Sequence, residues 1–294
     1  YFEEEAPYHS AGAGVAIQTD GRIVVCGSSG TTGSAVNSVL ARFDPDGSID
    51  TSFGTDGKIV LNVGTVEDRS TAVAIQSDGR IVISGYSGSS SYVARFLTSG
   101  APDPSFQGGL FSFDFLGGPT DRPNTLLLQE DGRILLAGTS EEEFAVVRLE
   151  YDGYWDNTFG DEGRIRLDFP ENGGDCYAIR LQADHKILLG GTYLSGTSPS
   201  DMALARLNGD GSVDTSFGVD GWLHYDINGQ IDHGAGMALQ ADGKVILVGD
   251  MATLPTDGTV IRVLNDVGIG IPEADPSAAP RATTPPATDI IQTS

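Results

Sequence analysis

A six-residue phrase, Gln-x-Asp-Gly-Arg/Lys-Ile/Val, recurs with few departures along this chain of 294 residues. Its glutamines are Gln18, Gln76, Gln129, Gln182 and Gln240, at intervals of 58, 53, 53 and 58 residues. A period of this length is typical of a solenoid, a propeller or an array, in which one supersecondary unit is repeated. The chain is therefore predicted to contain five copies of one unit. Residues that recur in every copy are interpreted as scaffold.

Each copy contains four short apolar runs, named a, b, c and d in chain order. Run a alternates apolar and polar residues, as in Ile165–Phe169, which is the period of a half-buried strand. Run b ends at the repeated glutamine, and run c, as in Ile23–Gly27, is apolar on both faces and is predicted to lie in the buried middle of a sheet. Four copies join b to c through Asp-Gly, which favours a tight hairpin, whereas the fourth has Asp184-His185.

These runs predict an all-β fold, a five-bladed β-propeller of four-stranded antiparallel blades. Radial repetition leaves only short, protected strand edges. A linear β-solenoid remains the alternative. The propeller is favoured because the units are long and are joined by tight hairpins. Alignment of Tyr1–Glu4 with Leu223–Asp226 predicts that the first copy has its own run a. The propeller is assigned to residues 1–265.

A family resemblance lies on the same residues. The segment Leu40–Gly54, followed by Asp56–Lys58 and later by Ala74–Val82, resembles the bacterial delta-60 repeat family. The pattern returns at Ala205–Gly218, and it is shortened in the second and third copies and lost in the fifth. The resemblance covers the chain to about Asn265. It implies a propeller-like extracellular protein and carries no catalytic residues.

The charge balance restricts the choice of partners. The chain has 17 Lys and Arg against 41 Asp and Glu, a formal net charge of −24, and ten of the cations recur at the start of run c or within run d. The variable surface is therefore almost purely acidic. This argues against nucleic acid and anionic membranes as partners, because both need a basic surface. No run of 18 apolar residues occurs, so membrane insertion is not predicted.

Residues 266–294 differ in composition from the repeats. The strand pattern stops at Asp266, and prolines arrive with Ala, Thr and Ser, as in a linker. Pro286–Gln292 resembles the first strand of the C-terminal sorting domain of type IX secretion cargo, although Thr283–Pro286 departs from its opening motif. This segment is predicted to be a linker or the start of a sorting domain that contacts the secretion machinery. The chain begins at Tyr1, as a mature or trimmed form would.

A binding site is expected on the face of the variable c–d connections. The b–c turns and the Asp-x-Ser-Phe-Gly segments between d and a are uniform and are assigned to the opposite face. Binding residues concentrate on variable loops held by a rigid frame. The individual ligand-binding residues are left unknown. The c–d connections run over Ser28–Ser38, Tyr86–Ser91, Thr139–Glu143, Thr192–Asp201 and Asp250–Gly258.

No metal and no cofactor is predicted. Asp44-x-Asp46-Gly47-x-x-Asp50 resembles part of a calcium loop, but it lacks a third early oxygen ligand and the distal glutamate. Its recurrence favours turn chemistry instead. The free-standing histidines His9, His185, His224 and His233 lack zinc-ligand spacing. Cys26 and Cys176 lie in different copies and are interpreted as core residues rather than a disulfide.

No catalytic residue is predicted either. The repeated arginine of run d and the aspartate of Asp-x-Ser-Phe-Gly are expected to pair across blades as scaffold. Asp114, Asp168 and Asp226 occupy equivalent places in successive a runs, which marks them as structural. The prediction is a secreted or cell-surface bacterial binding module for a surface glycan or protein, and not an enzyme. The alternatives are a glycoside-active enzyme with carboxylates at the channel, or a passive structural segment of a larger exported protein.

Overall fold

The described part of the chain is built almost wholly from β-strands. The computed structural model describes residues 8–31, 36–64, 67–115, 121–169, 173–194, 200–227, 229–251, 257–263 and 288–293. Within these ranges the helical structure is a single 3-10 turn, Gln107–Gly109, and no helix is long and apolar enough to cross a membrane. The predicted all-β class is confirmed. The chain divides into two compact units, Tyr1–Asp168 and Phe169–Ser294.

The first unit contains three four-stranded antiparallel sheets, each with its strands in chain order. The first sheet consists of β1 (Tyr8–Ile17), β2 (Ile23–Thr31), β3 (Asn37–Phe43) and β4 (Lys58–Leu61). The second consists of β5 (Asp68–Ile75), β6 (Ile81–Ser87), β7 (Ser90–Phe96) and β8 (Leu110–Phe113). The third consists of β9 (Arg122–Leu128), β10 (Ile134–Ser140), β11 (Glu143–Leu149) and β12 (Arg164–Arg166).

The second unit contains two further sheets of the same order. The fourth sheet consists of β13 (Gly174–Leu181), β14 (Ile187–Tyr193), β15 (Asp201–Leu207) and β16 (Trp222–Tyr225). The fifth consists of β17 (Asp232–Leu239), β18 (Val245–Met251), β19 (Asp257–Val263) and β20 (Thr288–Thr293). Four-stranded antiparallel sheets are thus present in both units, as the sequence predicts.

Each sheet is assembled from runs b, c and d of one copy and the run a that follows. β4 pairs with β3, and β16 pairs with β15, because the d–a segment folds back and returns the chain alongside run d. In the fifth sheet this place is taken by β20, which pairs with β19 from Val263↔Thr288 to Gly258↔Thr293. The segment assigned from the sequence to the tail therefore supplies a strand. The predicted run a at Tyr1–Glu4 and most of residues 266–294 lie outside the described residues, and the boundary at residue 265 stays a prediction.

The b–c hairpins have the predicted tight-turn geometry. Gly21, Gly79, Gly132 and Gly243 have φ between 83° and 88°, a region that L-residues rarely adopt. His185 replaces the glycine in the fourth copy and still takes φ +65°. In the first turn the Gly21 N–H donates to the Gln18 carbonyl at 2.9 Å. The repeated phrase is therefore the local code for one hairpin.

Strand b carries a β-bulge at the same position in every sheet. A bulge adds one unpaired residue and bends the strand. This feature could not be predicted from the sequence, because the bulged residues share no chemical character. The residues passed over by the pairing are Ala13, Thr71, Asn124, Tyr177 and Ala235, each five positions before the repeated glutamine.

The second and third strands of the sheets form the core. In β6 the side chains of Ile81, Val82 and Ile83 are fully buried, and the same holds for most of β10 and β14. Fully burying one such side chain stabilises the fold by about 1.5–3 kcal/mol. Both cysteines are free and buried, as predicted, and burial raises the pKa of each thiol to about 12.

Two of the c–d connections are shorter than the expected loops. β6 and β7 are joined by Gly88-Ser89 alone, and β10 and β11 by Glu141-Glu142, which take φ +50° and +64°. Two successive residues with positive φ are typical of a type I′ hairpin turn. Parts of the other three connections, residues 32–35, 195–199 and 252–256, lie outside the described residues.

Candidate functional site

Four buried arginines on strand d pair with the aspartates of the Asp-x-Ser-Phe-Gly segments. The Nε groups of Arg42, Arg95, Arg148 and Arg206 donate to Oδ2 of Asp50, Asp103, Asp156 and Asp214 at 2.7, 2.8, 2.6 and 2.6 Å. Pairing across blades was the wrong expectation. The partner lies eight residues later in the same copy, because the d–a segment folds back against its own strand.

The second sheet shows how tightly these charges are held. Arg95 is fully buried, and Arg80 donates through Nε to the same Asp103 oxygen at 2.8 Å. The other Asp103 oxygen accepts from the Ser105 amide at 3.0 Å and from its hydroxyl at 2.7 Å. Burial opposes the ionisation of Asp103, but the Ser105 hydrogen bonds and the Arg95 charge outweigh it and lower its pKa. These groups are therefore permanently charged parts of the frame.

The calcium-like run is a turn. Asp46 Oδ1 accepts from the Ser48 amide at 2.9 Å and from the Ser48 hydroxyl at 2.6 Å, and Asp50 Oδ1 accepts from Ser52 in the same way. Asp44 Oδ1 instead accepts from Arg22 Nε at 3.2 Å. The oxygens are directed at their own backbone and at an arginine, as turn chemistry requires.

An open groove lies between the first and second sheets, on the face of the b–c turns. It has a volume of about 600 Å³. Arg22 and Asp20 form an ion pair at its wall, 2.7 Å apart. The Arg42 guanidinium packs over the Phe53 ring at 4.5 Å, and it also lines the groove. The remaining lining comes from Gln18, Thr19, Ser52, Ser77, Asp78, Gly79, Thr98 and Ser99.

The ion pair of Asp20 and Arg22 is stabilised in its charged form. The Arg22 amide, followed by its guanidinium, lowers the pKa of Asp20, while the hydrogen bonds that Arg22 donates to Asp20 and Asp44 raise the pKa of Arg22. A group that exchanges protons in catalysis needs a pKa near the working pH. The shifts of Asp20 and Arg22 move their pKa values away from neutral pH, so this pair offers charged, hydrogen-bonding groups for recognition.

The equivalent place between the second and third sheets is filled by Tyr151. Its ring lies 4.5 Å from the Arg95 guanidinium, which also packs over the Phe106 ring at 4.6 Å. The phenol hydroxyl donates to Asp78 Oδ2 at 2.5 Å and accepts from Arg80 Nη1 at 3.0 Å. A tyrosine side chain thus closes this groove.

A carboxylate cluster lies in the second unit, on the face of the c–d connections. Asp201 begins β15, Asp226 follows β16, and Asp232 begins β17. Each offers an oxygen, and these oxygens all lie within 4.8 Å of one another. Asp201 and Asp232 are buried, whereas Asp226 is exposed. Within the described residues these three are the group best placed to hold a hard cation such as Ca²⁺. The expectation of no metal stays a prediction.

Hydrogen bonds fix two members of this cluster. Asp232 Oδ2 accepts from the Ile227 amide at 2.7 Å, and Asp201 Oδ2 contacts His224 Nδ1 at 2.7 Å. Asp232 Oδ1 has no hydrogen-bond partner among the described residues. Burial raises the pKa of Asp232 to about 6, with a further contribution from the charges of Asp201 and Asp226. Ionisation of Asp232 therefore costs more free energy in the folded protein than ionisation of an exposed aspartate.

The cluster was missed because its members look structural when taken singly. Asp226 recurs as Asp114 and Asp168, and Asp232 recurs as Asp68 and Asp121 at the start of strand b. Asp201 recurs as Asp257 in the fifth copy, whereas Asn37, Ser90 and Glu143 stand five residues before the repeated arginines of the first three copies. An alignment of the copies at these three positions shows one set in which all three residues are aspartates, namely Asp201, Asp226 and Asp232. The ability of this cluster to hold a cation depends on the three aspartates occurring together.

The other histidines do not join this group. His185 occupies the fourth b–c turn, and His233 Nδ1 lies 3.7 Å from Asp250 Oδ2 in the fifth sheet. The side chain of His9 lies outside the described residues. Within the described residues, the side chains grouped closely enough to hold a metal ion are the three aspartates.

The repeated segments of the chain are similar to a known protein family. Four segments, residues 18–53, 76–106, 129–159 and 182–217, match the family described as "Domain of unknown function (DUF5122) beta-propeller". Each begins at a repeated glutamine and the four end at the buried phenylalanines of the d–a segments. These matches support a β-propeller repeat family. A search of curated proteins found no match.

Solved structures agree on the propeller-like fold. A protein from Lactobacillus plantarum is 14% identical with a TM-score of 0.53, and the match covers 87% of this chain and 68% of that one. A protein of unknown function from Bacteroides caccae is 12% identical with a TM-score of 0.52, covering 86% and 78%. A glucose dehydrogenase is 15% identical with a TM-score of 0.50, covering 87% and 81%. At these identities the likeness concerns the fold alone.

Proposed function

We propose that this chain is a five-bladed β-propeller, secreted or displayed on the surface of a bacterium, that binds a glycan or protein ligand without catalysis. The five sheets of equal order supply one blade each. The acidic charge of −24 suits a soluble extracellular domain that attracts cationic groups. Export by the type IX route, through residues 266–294, is part of the proposal.

The observation that carries the binding function is the open groove between the first and second sheets, which lies on the face of the b–c turns rather than on the face of the c–d connections where the sequence predicts binding. A groove of about 600 Å³ falls within the size range of ligand pockets. Its walls carry ion-paired Asp20 and Arg22 together with the amide of Gln18 and the hydroxyls of Thr98 and Ser99. These groups form directional hydrogen bonds without undergoing chemistry.

The second candidate is a glycoside-active enzyme that uses Asp201, Asp226 and Asp232. It is favoured by one observation, the raised pKa of Asp232, since a glycosidase needs one carboxyl that stays protonated near its working pH. Burial weighs against it. Asp232 has no exposed surface and Asp201 is 5% exposed, so a sugar ring does not reach either carboxyl without rearrangement.

The test is to offer the intact chain a glycan array and a panel of extracellular proteins, and to assay oligosaccharide hydrolysis in parallel. Saturable binding with no released product is the expected result. Release of sugar that is lost in Asp232→Asn would favour the enzyme. No binding and no turnover would favour the passive structural segment. Fractionation of the source bacterium should place the protein outside the cytoplasm, and a cytoplasmic location would refute export.

A further inference from the structure

The groove between the first and second blades has the same walls as the groove that Tyr151 fills. Asp20 and Arg22 stand two and four residues after Gln18, as Asp78 and Arg80 stand after Gln76. Arg42 corresponds to Arg95, and each donates through Nε to its own aspartate. The repeat therefore places an equivalent aspartate–arginine pair and an equivalent buried arginine in both grooves.

The two grooves differ at the position that Tyr151 occupies, and also at neighbouring positions such as Ser99, which aligns with Asp152. Tyr151 stands three positions after Arg148, and the residue three positions after Arg95 is Thr98. The backbone contact is the same in both, because Arg42 Nη1 donates to the Thr98 carbonyl as Arg95 Nη1 donates to the Tyr151 carbonyl. Threonine is too short to reach Asp20 and Arg22. The space that a tyrosine occupies in one groove is open in the other.

Three groups in the open groove lack the contact that Tyr151 supplies to their counterparts. Among the described aromatic rings, Arg42 packs on Phe53 alone, whereas Arg95 lies between Phe106 and Tyr151. Asp20 bonds Arg22, which also donates to Asp44, whereas Asp78 and Arg80 bond the phenol hydroxyl of Tyr151.

We propose that this groove binds the side chain of an exposed tyrosine on a partner protein. The ring would stack on the Arg42 guanidinium, and the hydroxyl would donate to Asp20 and accept from Arg22. Arginine stacks on aromatic faces, and a hydrogen bond to a charged group discriminates a phenol from a plain ring. The proposal rests on the proposed binding function and names its ligand.

Charge indicates the kind of partner. A second copy of this chain also carries −24, so two copies repel each other. A partner whose tyrosine is flanked by lysine or arginine complements the acidic surface. The matched probes are therefore the blocked tripeptides Lys-Tyr-Lys, Lys-Phe-Lys and Lys-Leu-Lys, which keep the charge constant and change one side chain.

The test is titration of the intact chain with each tripeptide, followed by NMR of the arginine Nε–H signals. We expect Lys-Tyr-Lys to bind, with shifts of the Arg22 and Arg42 signals, Lys-Phe-Lys to bind about tenfold more weakly, and Lys-Leu-Lys not to bind measurably. Equal affinity for the three peptides would overturn the proposal. Binding of other ligands with no tripeptide binding would overturn it while leaving the proposed function standing.

Variants locate the site. Thr98→Tyr should close the groove from within, abolish tripeptide binding and keep or raise the melting temperature. Asp20→Asn with Arg22→Gln should remove the preference for tyrosine over phenylalanine. The matched control is Asp242→Asn with Lys244→Gln, which changes an equivalent turn pair in the fifth blade and should leave binding unchanged. Undiminished binding by a folded Thr98→Tyr variant would refute the assignment.

Discussion

At the scale of single residues, the buried arginines are the most sensitive positions. Arg95→Met removes the cation from Asp103, which is 2% exposed, and leaves that carboxylate with the half-buried Arg80 as its paired cation. Breaking a buried pair by removing one partner costs about 3–5 kcal/mol, and Arg80 should keep the loss near 3 kcal/mol. Denaturant unfolding monitored by fluorescence measures this difference.

An exposed ion pair serves as the control. Asp131→Asn breaks the contact between Asp131 and Arg133, whose side chains are 50% and 33% exposed. Exposed pairs contribute less than about 1 kcal/mol. If Arg95→Met lowers the free energy of unfolding by no more than Asp131→Asn does, the buried pair does not hold the d–a segment against strand d.

The raised pKa of Asp232 predicts that its contribution to stability changes with pH in the opposite direction to that of ion-paired aspartates such as Asp103, whose pKa is lowered. Its pKa is raised from 3.8 to about 6, so the folded protein binds its proton more tightly than the unfolded chain. Its contribution to stability is present below pH 4 and is lost as the pH rises through 6. Asp232→Asn keeps an acceptor for the Ile227 amide and removes the charge that faces Asp201 and Asp226, with His233 and His224 nearby.

The expected result is a melting-temperature advantage of Asp232→Asn that grows between pH 4 and 6 and is constant above. Thermal unfolding at intervals across this range measures it. Asp68→Asn is the matched control, because Asp68 Oδ2 accepts from the Val63 amide at 2.9 Å at the equivalent position outside the cluster. A difference that does not vary with pH would contradict the assigned role of the charge.

At the scale of elements, the b–c hairpin is the unit most clearly coded by local sequence. His185 takes φ +65° where the other four copies have glycine. A left-handed conformation costs an L-residue about 1–2 kcal/mol, and a glycine at this position avoids that cost. Part of the gain is lost because glycine raises the conformational entropy of the unfolded chain. We expect His185→Gly to stabilise the protein by about 0.5–1 kcal/mol in chemical denaturation. His185→Ala retains a Cβ and should give no gain, so an equal gain from both variants would exclude backbone strain as the cause.

Sequence predicted the elements whose cause is local and missed those whose cause is distant. Strand period and the positive φ of Gly21 or Gly79 are properties of a few consecutive residues, so the strands and hairpins could be found. The partner of Arg42 depends on how the d–a segment folds back. β20 pairs with β19 across more than twenty intervening residues. The cluster of Asp201, Asp226 and Asp232 requires three strand ends to meet, which no local pattern encodes.

At the scale of the whole molecule, the repeat determines which surface is available for binding. The guanidinium of each repeated arginine on strand d from Arg42 to Arg206 is neutralised by its own aspartate and covered by a phenylalanine ring at 4.5–4.6 Å. The remaining acidic residues therefore dominate the exterior. A site for a cationic or hydrogen-bonding ligand then arises where one copy departs from the others, as Thr98 departs from Tyr151.

The proposed five-bladed ring predicts how the whole chain unfolds. In a closed ring every blade has two neighbours, so loss of one blade exposes apolar faces on both sides and the ring unfolds as one. We expect one calorimetric transition, which is shifted downward by Arg95→Met in the first unit and displaced by Asp232→Asn in the second. Equality of the calorimetric and van't Hoff enthalpies would support the ring. Two transitions that respond separately to the two variants would show instead that Tyr1–Asp168 and Phe169–Ser294 are independent folding units, as in a linear repeat array.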